Sequence, residues 1–263
     1  MIRKSATLFT NNKKFVEIFL KFFSVNLVVC EHEKINLELY NFCIWKKIKF
    51  VSIKKNFSFD KILINKNKIA ITYGFGIIFK YEFIKKFKLG IWNIHPGALP
   101  NYRGRHPISH AILNDEKFIG VSIHLINEKI DSGKLIAQDF VLRSMNDSPK
   151  NIEKKIFNLL DSSLVKKAIY NFNNKKFKIL KDGKYYPSLI NGINIKNPKN
   201  FTAQYIFNSF RSQYDFGGVK ILNEIYMDCY FYNKAIVKSK NYDKIIKSSD
   251  KIQLILYKKK LNK

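Results

Sequence analysis

The chain has 263 residues, enough for one large domain or one domain with a small appendage. Apolar residues make up 46% of it, with 23 Phe and 14 Tyr, which excludes a chain too polar to build a core. The formal net charge is +28, from 48 Lys plus Arg against 20 Asp plus Glu. That points to an anionic partner such as a nucleic acid, an acidic membrane or a smaller phosphate compound, although an excess of lysine mixed with Asn and Ile can equally be a compositional habit of the source genome.

Residues 4–9 (KSATLF) read as a short strand, followed by a helix from about Asn12 to Phe23. VNLVVC (25–30) is a second strand, LELYNFCIWKKI (37–48) a helix and KFVSI (49–53) a third strand. KIAITYGF (68–75) is a stronger strand running into Gly74 and Gly76, FIKKF (83–87) a short helix and GIWNI (90–94) the next strand. HPISHAILND (106–115) is expected to be a helix facing inward through Ile108, Ala111 and Ile112. GVSIHLI (120–126) and GKLIAQDFVL (133–142) alternate as two strands around a turn at NEKID, antiparallel if that turn is tight. Residues 149–172 give the clearest helix, with Asp147 or Ser148 as its cap and Pro149 in its first turn. Residues 181–198 read as a linker or irregular arm, FTAQYIFNSFRSQY (201–214) as a helix, and GGVKI, MDCYFYNKAIV and IQLILYKK as short strands.

The β-then-α alternation predicts an α/β fold: an open, Rossmann-like, mostly parallel sheet with a small carboxy-terminal α+β appendage. The boundary is placed near residue 180, giving a catalytic domain over 1–180 and an appendage over 181–263. The appendage is too small to bury much core alone, so it is expected to pack on the first domain or a second subunit, and its apolar strands suggest a homodimer. Three cysteines, Cys30, Cys43 and Cys229, form no C-x-x-C pair and read as reduced, buried thiols. The greasy early stretch is broken by Glu17 and Lys21, so neither a signal peptide nor a membrane span is expected, and the cytoplasm is the default location. The G-x-G-x-x-G and P-loop patterns are absent. His106 and His110 are four apart on an expected helix, but without H-E-x-x-H or a nearby cysteine no metal site is predicted. His124 reads as a sheet residue, and His32 has no visible partner.

The chemistry concentrates in GIWNIHPGALPNYRGRHP (90–107). Asn93 and His95 are two apart and share one side of a strand end, where ligands bind in open α/β sheets. Asp131 stands at the tip of a separate turn, so an Asn, a His and an Asp can converge from two loops. An Asn amide suits a developing oxyanion, a neutral His accepts a proton from an attacking amine, and an Asp orients or polarises that His. With no Cys or Ser placed as a nucleophile, this trio fits direct acyl-type transfer to nitrogen. Each residue also has a bland reading: an Asn at a strand end caps a turn, and Asp-Ser-Gly is turn chemistry.

The combination of Asn-x-His, the Pro and Arg-Gly turn, Gly-Val-x-Ile-His and Asp-x-Gly resembles the family of formyltransferases that use 10-formyltetrahydrofolate. The resemblance covers about residues 70–140, with a looser match over the first strands and through YYP, FNSFRS and FGG in the tail. It implies that Asn93 holds the formyl oxygen, that His95 acts on the attacking amine, and that Asp131 orients His95 and helps relay the proton. It further implies that Phe75, Gly76, Ile77 and Ile78 receive the pterin ring, although Ile77 and Ile78 could also be core. Tyr102 and Arg103 would shape the loop near the acceptor, unless Arg103 satisfies carbonyls. Gln138 reads as an inner-sheet polar residue of unassigned role.

The same resemblance separates the acceptors. Members acting on glycinamide ribonucleotide usually lack such a tail. Members acting on methionyl-tRNA carry a larger basic domain and continue SLLP where this chain has GALP. The HPG…LP form is more similar to enzymes that formylate a nucleotide-linked 4-amino-4,6-dideoxy sugar of the dTDP type, for lipopolysaccharide or O-antigen synthesis. The charge of +28 speaks for tRNA instead. A catalytically silent nucleotide-binding or scaffolding module is the non-enzyme alternative.

Overall fold

The structure, a computed structural model, describes residues 4–54, 68–189, 192–238 and 241–261. Its first elements are β1 (Ser5–Thr10), α1 (Lys13–Leu20), β2 (Ser24–Glu31), α2 (Leu37–Trp45), β3 (Lys49–Ile53) and β4 (Ile69–Tyr73). There follow α3 (Tyr81–Ile84), β5 (Ile91–His95), the two-residue β6 (Arg103–Gly104), α4 (Pro107–Leu113), β7 (Phe118–Leu125) and β8 (Leu135–Leu142). Seven strands form one sheet in the order β3-β2-β1-β4-β5-β7-β8. Pairing is parallel from β3 through β5 and turns antiparallel between β5 and β7. This is the expected open, mostly parallel α/β sheet.

Strand chemistry explains the arrangement. Every residue of β4 is buried, as in a strand covered on both faces. The α1 helix starts where the Asn12 side chain accepts the Phe15 N–H, and it buries Phe15, Val16, Ile18 and Phe19. It stops at Leu20, short of the expected Phe23. The strand expected over 68–75 ends at Tyr73, because Gly74 turns the chain with φ +62°. The short helix lies at Tyr81–Ile84, two residues earlier than expected. Helix α4 begins at Pro107, not His106, which takes φ +54° ahead of the proline.

The long helix is α5 (Pro149–Leu159), a π-helical turn (Leu160–Leu164) and α6 (Val165–Asn173). Ser148 and Asn151 cap its start reciprocally: Ser148 Oγ accepts the Asn151 N–H, and Asn151 Oδ1 accepts the Ser148 N–H. The arm expected to be irregular over 181–198 contains β9 (Tyr185–Tyr186) and β10 (Ile193–Ile195). Next come α7 (Ala203–Gln213), β11 (Val219–Ile221), β12 (Glu224–Tyr226) and β13 (Asp228–Phe231). The strand expected over 227–237 ends at Phe231, because Asn233 Oδ1 takes the Ala235 N–H and opens α8 (Lys234–Lys238). The last strands are β14 (Lys244–Lys247) and β15 (Gln253–Tyr257).

The chain divides into two compact units, one of Met1–Arg103, Gly120–Phe140 and Ile156–Lys184, the other of Gly104–Ile119, Val141–Lys155 and Tyr185–Lys263. In the first, Phe9 on β1 packs edge-on against Phe75, Phe79, Phe83 and Phe87, anchoring the loop after β4 to the sheet. The second has its own cluster of buried residues, among them Phe207, Phe210, Tyr226 and Leu254. β15 lies between β13 and β14 with Leu254, Ile255 and Leu256 fully buried. Among the described residues no helix is long and apolar enough to cross a membrane.

Candidate active site

Asn93 and His95 end β5, and the antiparallel register with β7 sets Asn93 opposite His124 and His95 opposite Ser122. Side chains two apart share a face and cross-strand partners point the same way, so four polar side chains gather on one side of the sheet. Asp131 reaches them from the loop between β7 and β8. Its backbone is left-handed, φ +50°. The loop is held by Arg103, whose Nε and Nη2 donate to the Ile130 carbonyl at 3.0 and 2.7 Å. Gly133 makes the close approach possible, since a Cβ there would collide with the Leu125 carbonyl.

The distances define one cluster. Asn93 Nδ2 lies 3.2 Å from Asp131 Oδ1 and 3.1 Å from His124 Nε2. His95 Nδ1 is 3.6 Å from Asp131 Oδ2, and His124 Nε2 is 3.5 Å from Asp131 Oδ1. His95 is 5% exposed at its side chain and Asp131 10%.

Hydrogen-bond logic fixes both imidazoles. A backbone carbonyl only accepts, so His95 Nε2 carries the proton it donates to Tyr102 O at 2.7 Å, and His124 Nδ1 donates to Leu125 O at 2.9 Å. The Asn93 amide must turn its NH₂ toward Asp131, because the alternative sets oxygen against carboxylate. His124 Nε2 therefore accepts from it. Two bare ring nitrogens, His95 Nδ1 and His124 Nε2, thus face one carboxylate. Burial pushes His95 below its ordinary pKa, with His124 adding to the effect, while the Asp131 charge and the Tyr102 carbonyl oppose it. A neutral His95 beside a carboxylate is equipped to take up a proton. Both Asn93 amide hydrogens are engaged, so serving an oxyanion requires it to release one of them.

An open cavity of about 130 Å³ adjoins the cluster. Phe75, Ile77, Ile78, Phe79, Ile126 and Ile130 line one part of it, and Thr72, Asn93, His124 and Asp131 with the loop residues Asn127, Glu128 and Lys129 line the rest. Ile78 is 71% exposed, so it is wall and not core. Phe75 stacks on Phe79 with ring centroids 5.6 Å apart. Gly76 is outside the lining, and its N–H donates to Glu31 Oε1 at 2.9 Å. A cavity with an aromatic and aliphatic wall on one part and polar groups on the rest suits a flat heteroaromatic ring with a polar edge.

Tyr102 enters through its backbone carbonyl and is itself buried. Arg103 satisfies a carbonyl, the second of its two expected roles. His106 Nδ1 accepts the Leu189 N–H and His110 Nε2 donates to Pro187 O, so each has a nitrogen committed to backbone. His32 Nδ1 is 3.3 Å from Ser52 Oγ. Cys30, Cys43 and Cys229 are buried free thiols, and burial pushes the first two up to about 11, far from a nucleophilic thiolate. Among the described residues no group of three or more His, Cys, Asp or Glu side chains is arranged to hold a metal ion. Sequence reasoning missed His124. Its signal was the pair of matching period-2 patterns, N-x-H on one strand and S-x-H on the next.

Residues 27–167 match the formyl transferase family. A methionyl-tRNA formyltransferase of Borrelia duttonii is 38% identical over 95 residues, 36% of this chain and 31% of that protein. The chain spans from about a third to under two thirds of the length of the curated relatives it matches. An N-formyltransferase from Helicobacter canadensis, solved with folinic acid and dTDP-3-aminofucose, has a similar fold, with a TM-score of 0.69 at 22% identity over 98% of this chain and 99% of that one. A sugar 3N-formyl transferase solved with dTDP and 5-N-formyl-THF gives 0.67 at 23% identity over 98% of both chains. The family match runs over more than half of the chain and contains Asn93, His95, His124 and Asp131, so the chain belongs to the formyl transferase family.

Proposed function

We propose that this protein moves a formyl group from 10-formyltetrahydrofolate to the amine of a nucleotide-linked amino-dideoxy sugar. The observation that carries the chemistry is the convergence of Asn93, Asp131 and, behind Asp131, His95 beside an open cavity that Asn93 and Asp131 line. The donor's pterin ring fits the wall formed by Phe75, Ile77 and Ile78. A neutral amine attacks the formyl carbon, and charge gathers on the formyl oxygen near Asn93. His95 Nδ1 takes the amine proton with Asp131 beside it and passes it to N10 of the folate as the formyl C–N10 bond breaks, so the folate leaves protonated. No covalent enzyme intermediate is needed.

The choice of acceptor is supported by coverage. Likeness to the two sugar enzymes runs end to end and includes the tail. Matches to methionyl-tRNA formyltransferases cover 31% of the length of the Borrelia duttonii enzyme and 58% of that of Borrelia turicatae. The HPG…LP text suggests a 4-amino sugar, whereas of the two end-to-end neighbours one is named a sugar 3N-formyl transferase and the other was solved with dTDP-3-aminofucose. The net charge of +28 favours the tRNA reading.

The test is formyl transfer assayed side by side with dTDP-linked 4-amino and 3-amino dideoxyhexoses and with methionyl-tRNA. Formylated sugar with tRNA untouched is expected, and either ring position keeps the reading. Formylated tRNA with both sugars untouched overturns it.

A further inference from the structure

We propose that Ser122 and Gln138 are a positioning pair that holds the turn after His95 and, through it, the carbonyl that fixes the His95 tautomer. The inference rests on the reading of His95 as the proton acceptor and assigns a role to two residues outside the reacting cluster.

Ser122 is fully buried on β7 directly opposite His95. Its hydroxyl is saturated. It donates to Gly97 O at 2.6 Å and accepts the Leu99 N–H at 3.1 Å and a Gln138 Nε2–H at 2.9 Å. The second Gln138 hydrogen goes to Leu99 O at 2.8 Å. Every direction here is forced, because the two carbonyls only accept and the backbone N–H only donates. The pair therefore clamps Gly97 at one point and Leu99 at two.

Gly97 and Leu99 lie between His95 and Tyr102, whose carbonyl takes the His95 Nε2–H. Tyr102 is left-handed at φ +58°, so its carbonyl direction depends on the turn that precedes it. If the turn relaxes, Tyr102 O leaves its place and the imidazole loses the partner that keeps its proton on Nε2 and Nδ1 bare. Nothing in the pair touches the folate cavity, so donor binding is expected to survive its loss.

The test uses the full chain with Gln138→Leu, which keeps bulk and removes both donors, and Ser122→Ala beside Ser122→Thr, which restores a hydroxyl. Three readouts are taken: thermal melting, kcat against KM for the formyl donor, and the ring nitrogen shifts of His95 by NMR. Wild type should show the Nε2–H tautomer. Gln138→Leu and Ser122→Ala should show a mixed tautomer, with kcat down on the order of 10²-fold, as for misplacement of a reacting group by about 1 Å. Donor KM should hold, and Ser122→Thr should recover turnover. An unchanged tautomer, an unchanged kcat, or a loss confined to KM in a folded variant overturns the proposal. If Gln138→Leu does not fold, the Ala–Thr pair at Ser122 carries the decision. His95→Ala separates the two levels. If it is inactive while the pair variants are normal, only the pair falls. If it turns over like wild type, the reading of the site falls.

Discussion

Asp131→Asn isolates the charge at the centre of the cluster while keeping shape. His95 Nδ1 and Asp131 Oδ2 are 3.6 Å apart and both are largely shielded from solvent. With an effective dielectric of about 20, a protonated His95 beside this carboxylate is stabilised by about 4–5 kcal/mol. That interaction exists only once His95 has taken the amine proton, so it belongs to the transition state and not to ground-state binding. Converted to rate, its loss is a fall on the order of 10³ in kcat. The asparagine can also turn an N–H toward Nδ1 and occupy the lone pair the amine needs, which deepens the loss. Release of tetrahydrofolate at saturating amine acceptor gives kcat, and donor KM is read from the same series. A folded Asp131→Asn variant turning over near the wild-type rate would refute the argument, because no carboxylate would then be needed to hold the proton.

The pH dependence has a definite sign. Burial lowers the His95 pKa below its ordinary 6.5, so the neutral form that accepts a proton prevails above that value, and kcat at saturating acceptor should be flat there and fall as pH drops through the lowered pKa. The Asp131 charge raises that pKa, so residual activity in Asp131→Asn should hold to still lower pH; a limb moving upward contradicts the assignment. Gly133→Ala places a Cβ against the Leu125 carbonyl and must open the turn that carries Asp131. It is expected to cost about 1–3 kcal/mol in a denaturant melt and to lower kcat more than donor binding, and a variant with wild-type melting and turnover would show that the turn tolerates the change.

The sheet was legible because its strands are short, mainly apolar runs separated by helical periods, and β4 is buried on both faces, as a central parallel strand requires. That Asn93 and His95 share a face of one strand end was legible from period 2, whereas the roles expected of them came from the resemblance. His124 was not, because its meaning comes from the β5–β7 register, which no local window contains. Ser122 and Gln138 failed for the same reason: a Ser and a Gln in apolar strands look like tolerated interruptions until the turn they hold is beside them. In the tail, YFYNKAIV has the aromatic and β-branched content of a strand, yet one capping bond from Asn233 starts a helix inside it. The strands β9 and β10 are two and three residues long, below what any periodicity can register, and they exist through pairing partners supplied by distant sequence.

The engaged amide of Asn93 couples the two halves of the proposed reaction. One of its hydrogens is held by His124 and the other by Asp131. A formyl oxygen that claims a hydrogen takes it at least cost from Asp131, since the His124 bond keeps the amide oriented. Asp131 then loses a donor as negative charge grows on the formyl oxygen, and its oxygens become better partners for the proton arriving on His95. Oxyanion stabilisation and proton uptake are therefore one event shared by two side chains, and their losses should not multiply. Asn93→Ala alone is expected to lose on the order of 10²–10³ in kcat. In a double-mutant cycle, Asn93→Ala in the Asp131→Asn background should cost much less than in wild type, as for groups that act as a unit. Fully additive losses would mean that the two residues serve separate steps, and that the Asn93–Asp131 hydrogen bond is a resting contact without a part in transfer.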